Sequence, residues 1–225
     1  MQEKYVWKSN LRSEIAYWES IINGTFHMKE RCESFKKRAK GVDILPEYLA
    51  QYITEGTRIL DLGSGPASVL GGIYNGKRLD ITAIDPLAEV YKELYAKNDI
   101  QPLVIPEFGL GEELPKYVKG KFDFIYSKNA LDHSYDPIKC INNMISICNK
   151  DGVIFIEVSI NEGLRLNYSG LHQWNFMPHS LGGKAGIVVW NRNNTAYLLE
   201  SELTAEISSL EVSIRRTWAG IKIEV

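Results

Sequence analysis

The residues best suited to chemistry stand in a glycine-containing turn and at an acid that follows it by 20 residues. Residues 58–62 form a short apolar run around Asp61, as a buried strand does, and the run stops at Gly63-Ser64-Gly65. Glycine has no Cβ, so the backbone there can turn tightly and approach a ligand closely. A second apolar run ends at Asp85, an acid able to bind ribose hydroxyls. Together they predict a nucleotide pocket at the carboxyl edge of an α/β sheet.

Two kinds of nucleotide ligand compete for this pocket. The dinucleotide fingerprint requires a third glycine at the position where this chain has Ser68. Asp61 would place a negative charge beside a pyrophosphate, whereas the same charge would suit a cationic ligand. Both residues therefore disfavour a nicotinamide-dependent oxidoreductase and favour a cationic nucleoside.

The paired motifs, ILDLGSGP at residues 59–66 and ITAIDPL at residues 81–87, resemble motifs I and II of the class I S-adenosylmethionine-dependent methyltransferases. The resemblance covers about residues 56–160. It implies an α/β, Rossmann-like fold with a mostly parallel seven-stranded sheet, helices on both faces and an antiparallel C-terminal strand. It also implies that S-adenosylmethionine is the cofactor and that methyl transfer, with S-adenosylhomocysteine as product, is the reaction.

The same resemblance suggests which residues hold the cofactor. Asp61 and the glycine turn should hold its methionine end, Asp85 its ribose and Leu87 its adenine, although Asp85 could instead cap the next helix. Leu110 stands where the family usually has an Asp, which leaves a backbone contact for the adenine amino group. The predicted cofactor residues are Asp61, Gly63, Ser64, Gly65, Asp85, Pro86, Leu87, Gly109, Leu110, Ser127 and Asn129.

An acceptor hydroxyl or amine must lose a proton, and histidine is the natural base near neutral pH. His133 follows the fourth candidate strand in a segment that resembles the family's N-x-L-x-H-x-x-D-P motif, and His172 follows the fifth. We predict that one of these two is the catalytic base, a structural role in the loop being the alternative for His133. Asp132 and Asp136 are expected to cap helices or face solvent, and no metal site is predicted.

The acceptor is the least determined part of the function. The chain has 26 basic and 28 acidic residues, a net charge of −2, which disfavours a nucleic-acid partner. The basic run at residues 36–38 is expected to be a solvated helix face. The fourth strand lacks the N-P-P-aromatic sequence that marks amide and exocyclic-amine methylation in this family. We expect oxygen methylation of a small-molecule or sugar-like acceptor, with N-methylation of a small molecule or a non-catalytic cofactor-binding subunit as alternatives.

The surrounding elements must bring these residues to one sheet edge. Periodicity and turn residues predict helices over about 10–23, 29–40, 46–53, 67–74, 86–98 and 137–149, and strands over 58–62, 80–85, 101–105, 122–127 and 153–158. A hairpin over 186–199, turning at 192–194, and strands over 212–215 and 221–225 should follow. We predict a helical cap or lid over residues 1–45 and the cofactor-binding domain over 46–225. Within it, 161–184 is expected to be an acceptor-side loop without regular structure.

The cysteines and the hydropathy pattern indicate a compartment. Cys32, Cys140 and Cys148 are odd in number and lack C-x-x-C spacing, which predicts buried, reduced thiols. Neither a signal peptide nor an apolar run of membrane-spanning length is visible. We therefore expect a soluble, cytoplasmic protein without a membrane partner.

Overall fold

The computed structural model describes residues 2–182, 184–193, 195–203 and 207–225. Its helices are α1 (Gln2–Ile22), α2 (Lys29–Lys40), α3 (Glu47–Ala50), α4 (Ala88–Asn98), α5 (Pro137–Ser146), α6 (Glu162–Arg165) and α7 (Leu199–Glu202). Its strands are β1 (Arg58–Leu62), β2 (Ile73–Tyr74), β3 (Lys77–Arg78), β4 (Asp80–Asp85), β5 (Glu107–Phe108), β6 (Phe122–Lys128), β7 (Cys148–Ser159), β8 (Trp174–Leu181), β9 (Lys184–Asn191), β10 (Ala196–Leu198), β11 (Ser209–Arg215) and β12 (Trp218–Glu224). Short 3-10 helices lie at Phe26–Met28, Gly111–Lys116 and Leu131–His133.

The central sheet has seven strands in the order β11-β12-β7-β6-β1-β4-β5. β1 lies between β6 and β4 and runs parallel to both, whereas β12 is antiparallel to β7 and β11. Residues 59–62 of β1 are buried, as is usual for a parallel strand covered on both faces. The predicted α/β fold, with its mostly parallel sheet and antiparallel C-terminal strand, is confirmed.

The register of the central strands brings their carboxyl ends to one edge. Asp61 pairs with Ala83 of β4 on one side and with Tyr126 of β6 on the other. Residues that follow β1, β4 and β6 therefore meet at this edge, although they are far apart in sequence. All the predicted functional segments end or follow one of these strands, β5 or β7.

Helices and a second sheet cover the two faces of the central sheet. α1, α2 and α4 share an apolar cluster that includes Ile22, Phe35 and Tyr91. α5 and the three-stranded antiparallel sheet β10-β9-β8 belong to another cluster, which includes Ile141 and Phe176. The N-terminal helices are thus packed into the fold and reach the carboxyl edge of the sheet.

The N-terminal helix is longer than predicted, because α1 begins at Gln2 instead of near residue 10. Its first turns lack a clear apolar period, but Trp7 is buried and meets the Tyr135 ring edge-on at 5.8 Å. This long-range contact stabilises the first helical turns of α1, which the local sequence does not predict. The prediction for α2 is confirmed, and Gly41 ends this helix in the left-handed conformation with φ 62°.

Two elements predicted beside the glycine turn are wrong. The helix predicted over 67–74 is absent; a turn leads instead into the short β2–β3 hairpin. Gly71 has φ 76°, and a Cβ there would lie 2.7 Å from the Gly41 carbonyl oxygen, so this glycine permits close backbone packing. The strand predicted over 101–105 is also absent, since Pro102 lacks the N–H that a ladder needs. β5 forms at Glu107–Phe108 in its place.

The prediction of an unstructured loop over residues 161–184 is wrong for most of that segment. It contains α6 and β8, and β8 pairs with β9 from Trp174↔Asn191 to Leu181↔Lys184. Burial of Trp174 and Phe176 on one face supplies the energy for this strand. Gly183 lies outside the described residues. Within this segment, the residues just before and after α6 have no regular structure.

The other predicted elements are confirmed with shifted ends. The helices predicted over 46–53, 86–98 and 137–149 are the shorter α3, α4 and α5, and the strand predicted over 153–158 is the longer β7. The hairpin over 186–199 is β9–β10, and Asn194 of its predicted turn lies outside the described residues. The three cysteines are buried free thiols. None of the helices that the structure describes combines the length and apolar character needed to cross a bilayer.

Candidate active site

The glycine turn after β1 is held against both neighbouring strands. Gly63 has φ 70°, and a Cβ there would lie 2.2 Å from the Cβ of Ala130, which follows β6. The Gly63 N–H donates to the Ile84 carbonyl at 2.8 Å, which fixes the turn to the end of β4. Any larger side chain at Gly63 would push the two segments apart. The turn therefore leaves its backbone exposed to a ligand in a fixed position.

Asp85 organises this turn. Its Oδ2 accepts a hydrogen bond from Gly65 N at 2.9 Å, and its Oδ1 accepts one from Leu87 N at 2.8 Å. Burial raises the pKa of this carboxyl to about 6, while the two backbone N–H groups oppose the rise. The alternative role as a helix cap is not what the structure has, because the N-cap residue of α4 is Leu87. The Tyr91 side chain also hydrogen-bonds this carboxylate, which leaves an acceptor position for a ligand.

Asp61 is a buried acid with an unused oxygen. Its Oδ2 has no hydrogen-bond partner among the described residues, and the side chain is only 2% exposed. Burial raises its pKa to about 7, opposed by a hydrogen bond from Ser68 and by the charge of Arg38. An unpaired buried carboxylate is costly unless a cation faces it. Asp61 therefore fits a positively charged ligand group.

Arg38 differs from the other two residues of the basic run on α2. Lys36 and Lys37 are exposed as predicted, but Arg38 turns inward, and its Nε is buried without a partner among the described residues. Its guanidinium lies 5.9 Å from the centre of the Trp18 ring. Burial lowers the pKa of Arg38, and Asp61 opposes this. The prediction of a solvated face is wrong for this residue, and the cavity gains a half-buried cation.

These groups line one cavity of about 680 Å³. The predicted cofactor residues that line it are Asp61, Gly63, Ser64, Gly65, Asp85, Pro86, Leu87, Leu110 and Asn129. Gly109 and Ser127 do not: a Cβ on Gly109 would meet Ile84 at 2.7 Å, and Ser127 is fully buried within β6. The volume is in the range of small-molecule sites.

Helix α1 closes one side of this cavity with residues that sequence analysis did not assign. Glu14, Tyr17 and Trp18 line the cavity, and Trp18 Nε1 donates to Glu14 Oε1 at 2.8 Å. The Trp18 ring covers the glycine turn, since a Cβ on Gly65 would lie 3.2 Å from Trp18 Cζ2. The aromatic content of residues 1–45 was the only signal for this role.

The two predicted histidines come together in the same cavity. His133 Nε2 lies 2.9 Å from His172 Nδ1, and the rings meet edge-on with centroids 4.3 Å apart. His172 Nδ1 also lies 2.8 Å from Asp132 Oδ2. A backbone bond from Gln173 N to the Asp132 carbonyl, 3.1 Å long, ties the two segments. The prediction that both histidines face the carboxyl edge is confirmed by their shared cavity.

Asp132 and Asp136, the two acids near His133, differ in role. Asp136 accepts a hydrogen bond from Lys139 N at 3.0 Å and caps α5, as predicted. Asp132 is neither a cap nor solvated: it is 1% exposed and bonds His172, so that prediction is wrong. Its buried position follows from the 3-10 helix after β6, which turns this side chain towards His172.

Residues 32–184 match a family model described as "Methyltransferase domain". The chain is similar to the tRNA U34 carboxymethyltransferase of Campylobacter hominis, with 24% identity over 55% of this chain and 46% of that protein. It is also similar to the ribosomal protein L11 methyltransferase of Thermosipho africanus, with 29% identity over 57% of this chain and 48% of that protein. The chain thus spans about half the length of these curated relatives.

Among solved structures, the chain is similar to the trans-methyltransferase CalH in complex with SAH. The TM-score is 0.55 at 15% identity, over 92% of this chain and 64% of that one. At this identity the likeness concerns the fold.

Proposed function

Since this chain belongs to the methyltransferase-domain family, we propose that it transfers the methyl group of S-adenosylmethionine to an oxygen of a small-molecule or sugar-like acceptor. The resemblance stated from the two motifs, the enzyme class and the cofactor are confirmed by the family match, and the fold by CalH. The observation that carries the acceptor proposal is the cluster of His133, His172 and Asp132 at the cavity that Asp61 and Asp85 also serve.

The residues of the cavity fit the cofactor part by part. We assign the unpaired Asp61 Oδ2 to the ammonium of the methionine end and Arg38 to its carboxylate. Asp85 keeps an acceptor position for a ribose hydroxyl beside its bonds from Gly65 N, Leu87 N and the Tyr91 side chain. Leu87 and Leu110 line the cavity on the adenine side. When bound, S-adenosylmethionine supplies an electrophilic methyl group on a sulfonium sulfur.

The protein's task in this reaction is to align the acceptor and exclude water. Trp18 covers the glycine turn, and α1 supplies much of the wall beside it. We propose that residues 1–45 act as the cap of this cavity and that residues 46–225 form the domain that holds the cofactor. Leu166, Ser169 and Leu171 line the side towards the histidines and would contact the acceptor.

Transfer to a hydroxyl releases a proton from the attacking oxygen, and we assign this step to His133 and His172. Both rings line the cavity, and Asp132 fixes the orientation of His172. His133 or His172 would take the proton as the hydroxyl oxygen bonds the methyl carbon, and the cofactor would release that carbon with the bonding pair left on sulfur. The support for oxygen over nitrogen is that the polar groups of His133, His172 and Asp132 stand where they can align the acceptor oxygen.

The names of the two curated relatives specify a tRNA and a ribosomal protein, so they do not agree on one acceptor. The net charge of −2 gives little attraction to a polyanion. The cavity is also a concave site bounded by α1 and the segment after α6. These features favour a small acceptor over a macromolecule.

The test is a transfer assay with methyl-labelled S-adenosylmethionine on separate acceptor sets. One set holds small hydroxyl compounds and sugar nucleotides, a second small amines, a third tRNA and a ribosomal protein. We expect label in a hydroxyl compound, with the O-methyl group located by NMR. Label only in amines, tRNA or protein would replace the oxygen proposal. Tight cofactor binding without transfer to any set would favour the non-catalytic alternative.

A further inference from the structure

Three atoms from two separate segments form a compact triangle at the cavity wall. His172 Nδ1 lies 2.8 Å from Asp132 Oδ2 and 2.9 Å from His133 Nε2, and the latter two atoms are 3.5 Å apart. Asp132 is buried, while both histidines line the cavity. The triangle is thus closed on the protein side by the carboxylate and reached from the cavity through the histidines.

Hydrogen bonding alone does not account for both contacts of His172. A ring nitrogen has one in-plane position, which carries either a proton or a lone pair. His172 Nδ1 nevertheless has two partners at hydrogen-bond distance, Asp132 Oδ2 and His133 Nε2. A proton that points to one of them leaves the other contact unmade. A cation just off the plane of the triangle would accept lone pairs from all three atoms together.

The spacing matches the ligand sphere of a small divalent ion. With metal–ligand bonds of about 2.1 Å, two ligand atoms lie about 3.0 Å apart at a right angle and about 3.4 Å apart at the tetrahedral angle. The three distances here, 2.8, 2.9 and 3.5 Å, bracket those values. Little movement of the side chains is needed to admit an ion.

We propose that Asp132, His133 and His172 form a binding site for a divalent first-row transition-metal ion, with open coordination positions towards the cavity. Two imidazoles and one carboxylate suit ions such as Zn²⁺, Mn²⁺ or Fe²⁺. Mg²⁺ and Ca²⁺ are disfavoured because they select oxygen ligands. The backbone bond from Gln173 to Asp132 brings the ligands of the two segments into register.

The role of this ion rests on the proposed function. An acceptor hydroxyl that fills an open coordination position has a lowered pKa, as metal-bound water has. With the ion bound, the ring nitrogens that ligate it cannot also take the hydroxyl proton, so the proton would pass to solvent water instead. The oxygen would keep the lone pair that attacks the methyl carbon. The site would then select acceptors with a hydroxyl able to bind a metal, and His133 and His172 would act through the ion.

The test uses the full chain without an affinity tag, stripped with a chelator and titrated with Zn²⁺ or Mn²⁺ alone in a calorimeter. We expect one equivalent to bind, and each of the variants Asp132→Asn, His133→Gln and His172→Gln to lower the affinity about 100-fold or more. His27→Gln is the matched control, because His27 is exposed and does not line the cavity. Wild-type affinity in all three ligand variants would overturn the proposal.

A second measurement does not depend on how the variants fold. Wild-type crystals soaked in Zn²⁺ should show an anomalous peak between the three side chains, and a peak only elsewhere would refute the site. The chelated enzyme separates this proposal from the proposed function. Methyl transfer that persists undiminished in the metal-free enzyme would support the proposed function and refute the role of the ion. Metal binding without any methyl transfer would support the metal site and refute the proposed function.

Discussion

The carboxylate of Asp85 and the backbone N–H of Gly65 are joined by a hydrogen bond of 2.9 Å. The acid that ends β4 thereby fixes the turn that follows β1. The two motifs that revealed the family are a single structural unit, in which one side chain both shapes the glycine turn and faces the cavity.

Asp85→Ala should weaken the binding of S-adenosylmethionine by about 1.5–3 kcal/mol, the range for hydrogen bonds to a charged group. Calorimetry on the purified variant measures this directly. Asp123→Ala is a matched control, because Asp123 accepts a hydrogen bond from Arg58 N at 2.8 Å at the opposite end of β1. The control should lose some stability and keep its cofactor affinity. Equal affinities in wild type and Asp85→Ala would remove Asp85 from the ribose site.

Cofactor affinity should rise with pH between about 6 and 8, because Asp61, with a pKa raised to about 7 by burial, must ionise to face an ammonium group. Arg38, Asp85 and Tyr126 are the charged or titratable groups that interact with it. Asp85, with a pKa of about 6, adds a limb at lower pH. Asp61→Asn should bind weakly and lose the upper limb. An unchanged pH profile in that variant would contradict the assignment.

The stability of the cofactor-free protein should fall as pH rises, whereas cofactor affinity should increase. Burial raises the pKa of Asp61 from 3.8 to about 7, so the folded state holds a proton that the unfolded chain has lost in this window. The contribution of Asp61 to stability is therefore lost as pH rises from about 4 to 7. Melting temperatures of wild type relative to Asp61→Asn, taken at both ends of the window, measure it.

Arg38→Gln should weaken cofactor binding, because it removes the half-buried cation that we assign to the methionine carboxylate. We expect a loss of about 1.5–3 kcal/mol, as for other charge-assisted hydrogen bonds. Lys37→Gln, one residue away and exposed, should bind as wild type does. If both variants bind equally well, Arg38 serves only to neutralise Asp61 in the free protein.

Trp18→Ala should reduce methyl transfer far more than cofactor affinity, because it uncovers the glycine turn to water. Tyr5→Ala is the control on the same helix, since Tyr5 is 78% exposed. Single-turnover rates at saturating cofactor separate the two effects. A wild-type rate in Trp18→Ala would show that α1 is a structural extension and not a cap.

His133→Ala and His172→Ala should each lower the transfer rate by roughly 10²–10⁴-fold, the usual contribution of proton-transfer groups. Cofactor affinity should stay unchanged, since neither ring belongs to the part of the cavity assigned to the cofactor. His179→Ala is the control: Nε2 of His179, in β8, lies 2.8 Å from Glu200 Oε1 of α7, and His179 does not line the cavity. Rates within a few-fold of wild type in both variants would exclude the histidines from catalysis.

The cofactor half of the site could be predicted from sequence because its chemistry is local. Gly63, Gly65 and Asp85 stand at strand ends that apolar runs mark clearly, and parallel pairing of β1 with β4 brings them together. Arg38 could not be found in this way. It shares a basic run with two exposed lysines, and only the packing of α1 on α2 decides which of the three turns inward.

The proposed acceptor half of the site depends on long-range contacts, which local sequence patterns do not predict. His133 and His172 were expected at the same edge, but their contact joins residues 39 apart and requires the Gln173–Asp132 backbone bond. β8 was missed because Asn175 and Pro178 interrupt its apolar pattern. Its structure comes from pairing with β9, which follows it in the chain.

The bond between Gln173 N and the Asp132 carbonyl uses main-chain atoms only. Exchange of side chains in the preceding segment, which carries the wall residues Leu166, Ser169 and Leu171, leaves this bond in place. The proposed acceptor wall can therefore change while the pairing of the two segments is kept. Directed evolution of that wall is a route to new substrates in which the scaffold need not be redesigned.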